Sequence, residues 1–526
     1  MSATLSIRAT LRHTAFRALL AGGTVYFVGN AMQAMATAWL MVELTGSSFL
    51  AALVQTAVFL PMFLLALPAG VMADTTDRRR LMLGALIAQA AVVGALALLA
   101  GANWAGPATL LLFTFVAGCC TAMLSPSWNS AIVDVLPRDE LPQAITAIGI
   151  SYNSARALGP ALAGAVFAWA GGGLVFALAM LGIGALFLAV HRHPPRPHPP
   201  SRLPPERLWG GMLSALRFVR HSETVLSQLV RVVAYSAAGS ALWALLPVIG
   251  QRQLGLGATG FGFLMGCLGT GAVLAGLVIG RLRTRMGLER LVATGAVVFA
   301  LAMAIAALSK THVLVYLALM AGGASWMSVM STYNTATQTS VPPWVRARAT
   351  AMHTLCALGS FAIGSAIWGA LSGIVGLTPT LLLAATVMLA SVSLARRFPL
   401  RMGALDEVTQ APWSADLFLK HEPAPDAGPV SVEVSYRVPP EAAEGFLEAV
   451  TALRPLRRRD GATLWRVYRD LSHPSRFVER FIVTSWADYL HQRARGTLAD
   501  QHIEAGLREF LLPGEAPVTE HYIAER

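Results

Sequence analysis

Charge is scarce in this chain of 526 residues: Asp, Glu, Lys and Arg together make up 13% of it, against 55% hydrophobic residues and a mean hydropathy of +0.57. That scarcity excludes an ordinary water-soluble core for the early and middle parts, because too little polar surface is left to face water. Cysteine is rarer still. The four present, Cys119, Cys120, Cys267 and Cys356, sit in apolar stretches without metal-ligand spacing, which points to packing rather than a disulfide framework or a zinc site. No Gly-x-x-x-x-Gly-Lys-Ser/Thr loop occurs, so phosphate-bond energy is not the drive of what the chain does. A cleaved leader is not expected either. Arg8, Arg12 and Arg17 precede an apolar run that continues to about Val42 with no small-residue cleavage site, the pattern of a retained first helix. His191, His193 and His198 are held apart by the prolines around them, so no metal and no cofactor is expected.

What the chain has in abundance is long apolar runs. Crossing the hydrocarbon core takes about 20 largely apolar residues, and windows of that kind centre near residues 30, 60, 91, 117, 155 and 181, then near 238, 269, 299, 324, 359 and 387. Between the two sets, His191 to Arg207 is dense in proline and reads as an extended linker. Leu208, Met212, Leu216 and Val219 then follow at helical spacing among arginines, which suggests an interfacial helix. The expected fold class is an all-α membrane protein of 12 transmembrane helices in two six-helix repeats, plus a small α+β domain. The expected boundaries are 1–190 for the first half, 191–222 for linker and interfacial helix, 223–402 for the second half and 403–526 for the appended domain.

Basic residues fall in every second loop, at Arg78 to Arg80, Arg138, Arg192 with Arg196 and Arg202, Arg281 to Arg290, Arg346 with Arg348, and Arg396 to Arg401. Short basic loops stay on the cytoplasmic side. The formal net charge of +12 is therefore topology rather than a nucleic-acid footprint, and both termini come out cytoplasmic in a bacterial-type inner membrane. Loops near Gly46, Asn103, Gly172, Gly257, Lys310 and Gly376 mark the other side. The halves also match each other. Trp128-Asn129-Ser130-Ala131 reappears as Tyr333-Asn334-Thr335-Ala336, Pro137 as Pro342, and Gly159 with Gly164 as Gly364 with Gly369, all at one offset of 205 residues. A single offset held across two helices and a loop indicates a duplicated unit.

From about residue 405 charge returns. Val430 to Val438, Thr463 to Asp470, Phe477 to Ser485 and Val518 to Ile523 alternate like strands, while Pro439 to Leu453 and Trp486 to Phe510 read as helix. That order suits a ferredoxin-like α+β domain. It leaves room for a homodimer through the soluble part.

The run Gly70-Val-Met-Ala-Asp74-Thr-Thr-Asp77-Arg78-Arg79-Arg80 resembles motif A of the major facilitator superfamily. The resemblance implies a latch in which Gly70 allows close approach, Asp74 holds the N-terminal end of the eleventh helix, and Arg78 pairs with Asp134. The echo in the second half, Gly280-Arg-Leu-Arg283-Thr-Arg285-Met-Gly287, lacks the aspartate, which implies a weaker latch there. Trp39-Leu-Met-Val-Glu43-Leu-Thr45-Gly46-Ser47, with Leu60-Pro61 and Leu67-Pro68-Ala69-Gly70, is similar to the branch containing the enterobactin exporter, the transmembrane secretion effector type. Tyr468 to Glu479 and Ser485-Trp486 resemble the domain appended to some bacterial members. Export of a small molecule, driven by protons, is what this likeness implies. Gly159-Pro160-Ala-Leu-Ala-Gly164 resembles a reduced motif C of antiporters, with alanine at 155 and 163 where glycine is usual.

Ionisable residues inside spans are expensive and are functional candidates by default. Arg156 is the clearest, able to hold an anionic substrate group or to pair with Glu43. Asn30, Gln33, Gln55, Gln89, Asn129, Asn153, Tyr235, Asn334 and Gln338 also fall in apolar helices, and His353 is the one histidine deep enough to carry a proton. The expected function is secondary active export of a drug-like or siderophore-like molecule by alternating access, with protons as coupling partner and no enzymatic step. Two rivals stand beside it. One is an uptake symporter, and the other is a membrane-anchored sensor or monooxygenase-like protein acting through the C-terminal domain.

Overall fold

The computed structural model describes residues 10–137, 140–193, 216–217, 219–412 and 423–525, with the side chains of 67, 71, 73–75, 133–134, 142 and 347 outside that description. The linker prolines and most of the expected interfacial helix, Leu208 to Val219, therefore lie outside the described residues. Apolar runs become helices in the order α1 Thr14–Thr45, α2 Ser48–Thr75, α3 Arg78–Gly101, α4 Pro107–Asp134, α5 Leu141–Arg192, α6 Glu223–Val248, α7 Ala258–Met286, α8 Leu288–Leu308, α9 His312–Thr339, α10 Pro343–Val375 and α11 Leu377–Ser391. A helix pairs most of its backbone within the segment, which hydrocarbon requires.

Among the described residues eleven helices are long and apolar enough to cross a membrane, where twelve were expected. The difference lies in α5. Its 52 residues would span about 78 Å at 1.5 Å per residue, far beyond a core of about 30 Å, and its backbone leaves the helical region at Gly171, where φ is 74° and ψ 179°. An L side chain rarely adopts that conformation. Short polar signals set the other ends. Ser47 caps α2 by accepting from the Leu50 N–H (3.3 Å), and Asp77 caps α3 by accepting from the N–H groups of Arg79 and Arg80 (2.8 and 3.2 Å).

The chain divides into two units, Met1–Arg202 with Arg231–Thr332 and Thr354–Arg397, and Leu203–Val230 with Tyr333–His353 and Phe398–Arg526. Within the first unit, small residues let helices meet at backbone distance. A Cβ added to Gly159 of α5 would stand 2.7 Å from Ala31 of α1, one added to Gly164 would stand 2.6 Å from the carbonyl of Ala258 at the start of α7, and one added to Gly269 of α7 would stand 2.6 Å from the Ala157 Cα. A second seam joins α2 to α10: the Thr56 hydroxyl donates to the Ala362 carbonyl (2.9 Å), Phe59 meets Phe361 edge-on (4.9 Å), and Gly359 faces Phe63. The two halves of the repeat thus touch along two seams. Near the arginine-bearing ends, a Cβ added to Gly70 of α2, Gly149 of α5 or Gly276 of α7 would meet nothing within 4 Å among the described residues.

In the second unit, Ser340 gathers three segments, accepting from the Gln228 amide and from the Gly403 N–H, both at 3.0 Å. The appended domain runs β1 Val430–Arg437, α12 Ala443–Thr451, α13 Leu453–Arg459, β2 Leu464–Arg469, β3 Arg476–Val483, α14 Trp486–Arg495, α15 Leu498–Gly506 and β4 Val518–Ile523. Its sheet is antiparallel with order β2-β3-β1-β4 and Val434 opposite both Glu479 and Thr519. That is the ferredoxin-like order. The helix expected over Trp486 to Phe510 is in fact two, because Thr497 starts a new one, its hydroxyl accepting from the Asp500 N–H while the Asp500 carboxylate accepts from the Thr497 N–H.

Candidate functional site

Where α5 runs between α1 and α7, Arg156 sits one residue before Ala157, the residue that Gly269 approaches most closely. Its guanidinium lies 5.9 Å from the ring centre of Tyr152, one turn back on α5, and 5.3 Å from that of Trp243 on α6. One arginine of the first half therefore rests on an aromatic face of the second. Stacking on ring faces is a recognised use of guanidinium in place of a carboxylate. No ion pair joins Arg156 to any described acid.

Aromatic rings extend from this arginine in both directions. Tyr152 meets Phe27 (5.3 Å), which meets Trp128 (6.0 Å); Trp243 meets Trp326 (6.1 Å), which meets Phe361 (5.9 Å). The Trp243 indole N–H is buried and, among the described residues, has no hydrogen-bond acceptor. A wall of ring faces with one guanidinium and a spare donor at its centre can hold a flat, partly apolar molecule carrying an acceptor or an anionic group.

The other expected site residues are dispersed. Glu43 is exposed and does not pair with Arg156. Asn30 is half-buried, Gln33 is buried and Asn129 is exposed. Asn334 and Gln338 are exposed neighbours on α9 that bond to each other (2.6 Å), and His353 is buried with a hydrogen bond to the Thr337 hydroxyl (3.3 Å). Asn153 donates to the Gly149 carbonyl of its own helix (2.8 Å). Gly159, Pro160 and Gly164 lie on the faces of α5 turned toward α1 and α7. Of the expected latch, Gly70 and Arg78 are described, whereas the side chains of Asp74 and Asp134 are not.

Three contacts escaped the sequence reading. Arg79 donates to the His191 carbonyl (2.8 Å). Arg283, which stands at the repeat offset of 205 from Arg78, donates to the hydroxyls of Ser331 (2.7 Å) and Thr332 (3.1 Å). Arg231, 2% exposed, is held by both oxygens of Glu289 (2.7 and 2.5 Å). Arg231 lies inside the apolar run of the seventh window, which was the available signal.

Bundled apolar helices, an internal duplication, small-residue seams between the halves and an arginine set among aromatic rings together define a multi-pass membrane transporter. The family described as transmembrane secretion effector matches residues 5–526, and the chain belongs to that family of the major facilitator superfamily. It is 28% identical over 412 residues to the multidrug efflux pump Tap of Mycobacterium tuberculosis (strain ATCC 25618 / H37Rv), covering 73% of this chain and 92% of that protein. Among solved structures it resembles a bacterial homologue of the human lysosomal transporter Spinster (TM-score 0.59, 15% identity, 74% of this chain and 97% of that one). It also resembles the nucleoside transporter NupG (TM-score 0.59, 14% identity, 73% and 100%). At such identities these two show the fold alone.

Proposed function

We propose that this protein is a secondary active exporter of a small organic molecule, drug-like or siderophore-like, which it moves across the bacterial inner membrane in exchange for protons. In this reading Gly171 divides α5 into two crossings, giving twelve in all, with both termini cytoplasmic and the boundaries 1–190, 191–222, 223–402 and 403–526. No enzymatic step is involved. The relative named as a multidrug efflux pump supports the direction. The observation that carries the reading is Arg156, a cation within an apolar span that reaches from the first half onto Trp243 of the second.

The seams lie toward one end of the bundle, and among the described residues the glycines of the same helices near their arginine-bearing ends make no such contact. A substrate would enter between those ends, from the cytoplasm. It would lie along the aromatic wall with an acceptor group at Arg156, and would leave when the halves rock and the seams part. Gly70, Asp74, Arg78 and Asp134 would then latch the opposite state, while Gly159, Pro160 and Gly164 keep α5 stiff and close to its neighbours. Glu43 and His353 are the groups we assign to proton exchange, and Asn30, Gln33, Asn129, Asn334 and Gln338 to the polar part of the path. The exposed edge strands β2 and β4 are where a homodimer would form.

The test is ethidium transport in inverted membrane vesicles energised by a proton gradient, normalised to inserted protein. Arg156→Ala is expected to lower the rate at least tenfold and Arg156→Lys to restore part of it, since lysine keeps the charge but not the flat stacking surface. An unchanged rate in both variants would refute the assignment of Arg156. Insensitivity of the wild type to a protonophore would refute proton coupling, and ethidium leaving the vesicles rather than entering would indicate uptake in the cell.

A further inference from the structure

The appended domain holds a cavity of about 870 Å³ between its sheet and its helices. That lies in the range of sites that take drug-sized molecules. One wall is apolar, formed by Val432 and Val434 of β1 and Phe481 of β3, which face inward by strand alternation. Beside it the lining is polar and already organised, with the Arg457 guanidinium over the Phe481 ring (4.9 Å). Arg457 is held by Glu479 (3.0 Å) and Glu504 (2.8 Å), and the fully buried Glu479 also accepts from the Tyr436 hydroxyl (3.0 Å) and the Trp465 indole (2.9 Å).

One buried group of this lining is unsatisfied. Gln492, 6% exposed, lines the cavity with its amide nitrogen donating to the Arg457 carbonyl (3.4 Å) and, among the described residues, its amide oxygen without a partner. A buried acceptor left unmet is costly. Arg493 and Arg508 line the same cavity, and among the described residues neither takes part in an ion pair, whereas Asp460 and Asp500 share Arg459.

We propose that this cavity is a ligand-binding site for a flat, amphipathic organic anion: a ring system against Val432, Val434 and Phe481, an N–H or O–H donor to Gln492, and an anionic group to Arg493 and Arg508. The four-bonded Glu479 keeps the polar wall rigid, so little ordering remains to oppose binding. The site is separate from the transmembrane one and does not depend on the transport reading.

Dansylglycine has the three required parts, a naphthalene ring, a sulfonamide N–H and a carboxylate. Its fluorescence is to be titrated with the full-length protein in phosphatidylcholine nanodiscs, with empty nanodiscs subtracted. Saturable binding at one site per chain is expected. Gln492→Leu, which keeps the volume and removes the acceptor, should weaken it about tenfold. Val434→Trp, which fills the cavity, should abolish it, with amide exchange in β1 and β3 confirming that the domain stays folded. Arg156→Ala should leave it unchanged. Signal that never saturates, wild-type affinity in Gln492→Leu, or loss of binding in Arg156→Ala would each overturn the proposal; the last would place the probe among the transmembrane helices.

Discussion

The transmembrane seams and the core of the appended domain are held together by opposite means. Along α5 and α7 the contacts are made by what is missing, a Cβ at Gly164, Gly262 and Gly269, so that backbones meet directly. In the domain the core is built of large rings, Phe446, Phe477, Phe481 and Trp486, beside the fully buried carboxylate of Glu479. The difference follows from the solvent. Lipid offers no gain for burying an apolar side chain, so close dispersion contact must come from small residues. Water drives large apolar groups together, and the domain can then hold Glu479 provided that every lone pair is met. The transmembrane unit has its own buried ion pair, Arg231 with Glu289, but Glu289 keeps 38% of its side chain exposed at the first turn of α8.

If that contrast is right, substitutions should hurt in a definite order. Glu479→Leu is expected to cost the domain about 4 kcal/mol, since it leaves Arg457, Tyr436 and Trp465 buried without their shared acceptor. Amide exchange over β1 and β3 in the full-length protein reports it, and Glu479→Gln should cost about half as much. Equal losses in the two variants would mean that shape rather than hydrogen bonding matters there. Gly269→Leu comes next, at about 3 kcal/mol from overpacking against Ala157. It should separate α5 from α7, read as slower cross-linking of cysteines placed on those helices, and should stop transport. A variant as active and as tightly packed as wild type would show that the seam tolerates side chains.

Glu289→Ala should cost roughly 2 kcal/mol, discounted because Glu289 is partly in solvent. Thermal unfolding in detergent measures it, and Arg231→Met combined with Glu289→Ala should recover most of the loss. The smallest effect concerns His521, which is hydrogen-bonded to the Tyr489 hydroxyl (2.5 Å). Burial, aided by Arg493, lowers its pKa. The folded domain then binds fewer protons than the unfolded chain below the ordinary histidine range near 6.5. Stability is therefore present above that range and declines as pH falls through it, by less than about 1 kcal/mol down to pH 5. His521→Gln should flatten the decline; an unchanged slope would assign it to another group.

Much of the architecture could be read without coordinates. Windows of apolar residues fall inside the observed helices, and the loop expected near Gly172 is where the backbone turns out of α5. The alternation of Val430, Val432, Val434 and Tyr436 was visible as a strand and is buried on that parity. Glu479 shares the parity of Phe477, Phe481 and Val483, so its inward position was also written in the sequence but masked by the polar residues beside it. Arg156 could be singled out because a lone cation in an apolar run is conspicuous. Its partner could not be found, because Trp243 is 87 positions away and a tryptophan in an apolar helix carries no signal of what it faces.

By itself, then, the sequence determined the membrane class, the presence of a small C-terminal sheet domain and the family, since all of these depend on composition, local periodicity and short motifs. Tertiary structure alone decided which groups meet. Arg156 found aromatic faces rather than Glu43, Arg283 found the hydroxyls of Ser331 and Thr332, and Gln492 was left, among the described residues, with an open acceptor in a cavity. Contacts of that kind join residues far apart in the chain, and their energies are set by distance and desolvation, which no local pattern encodes.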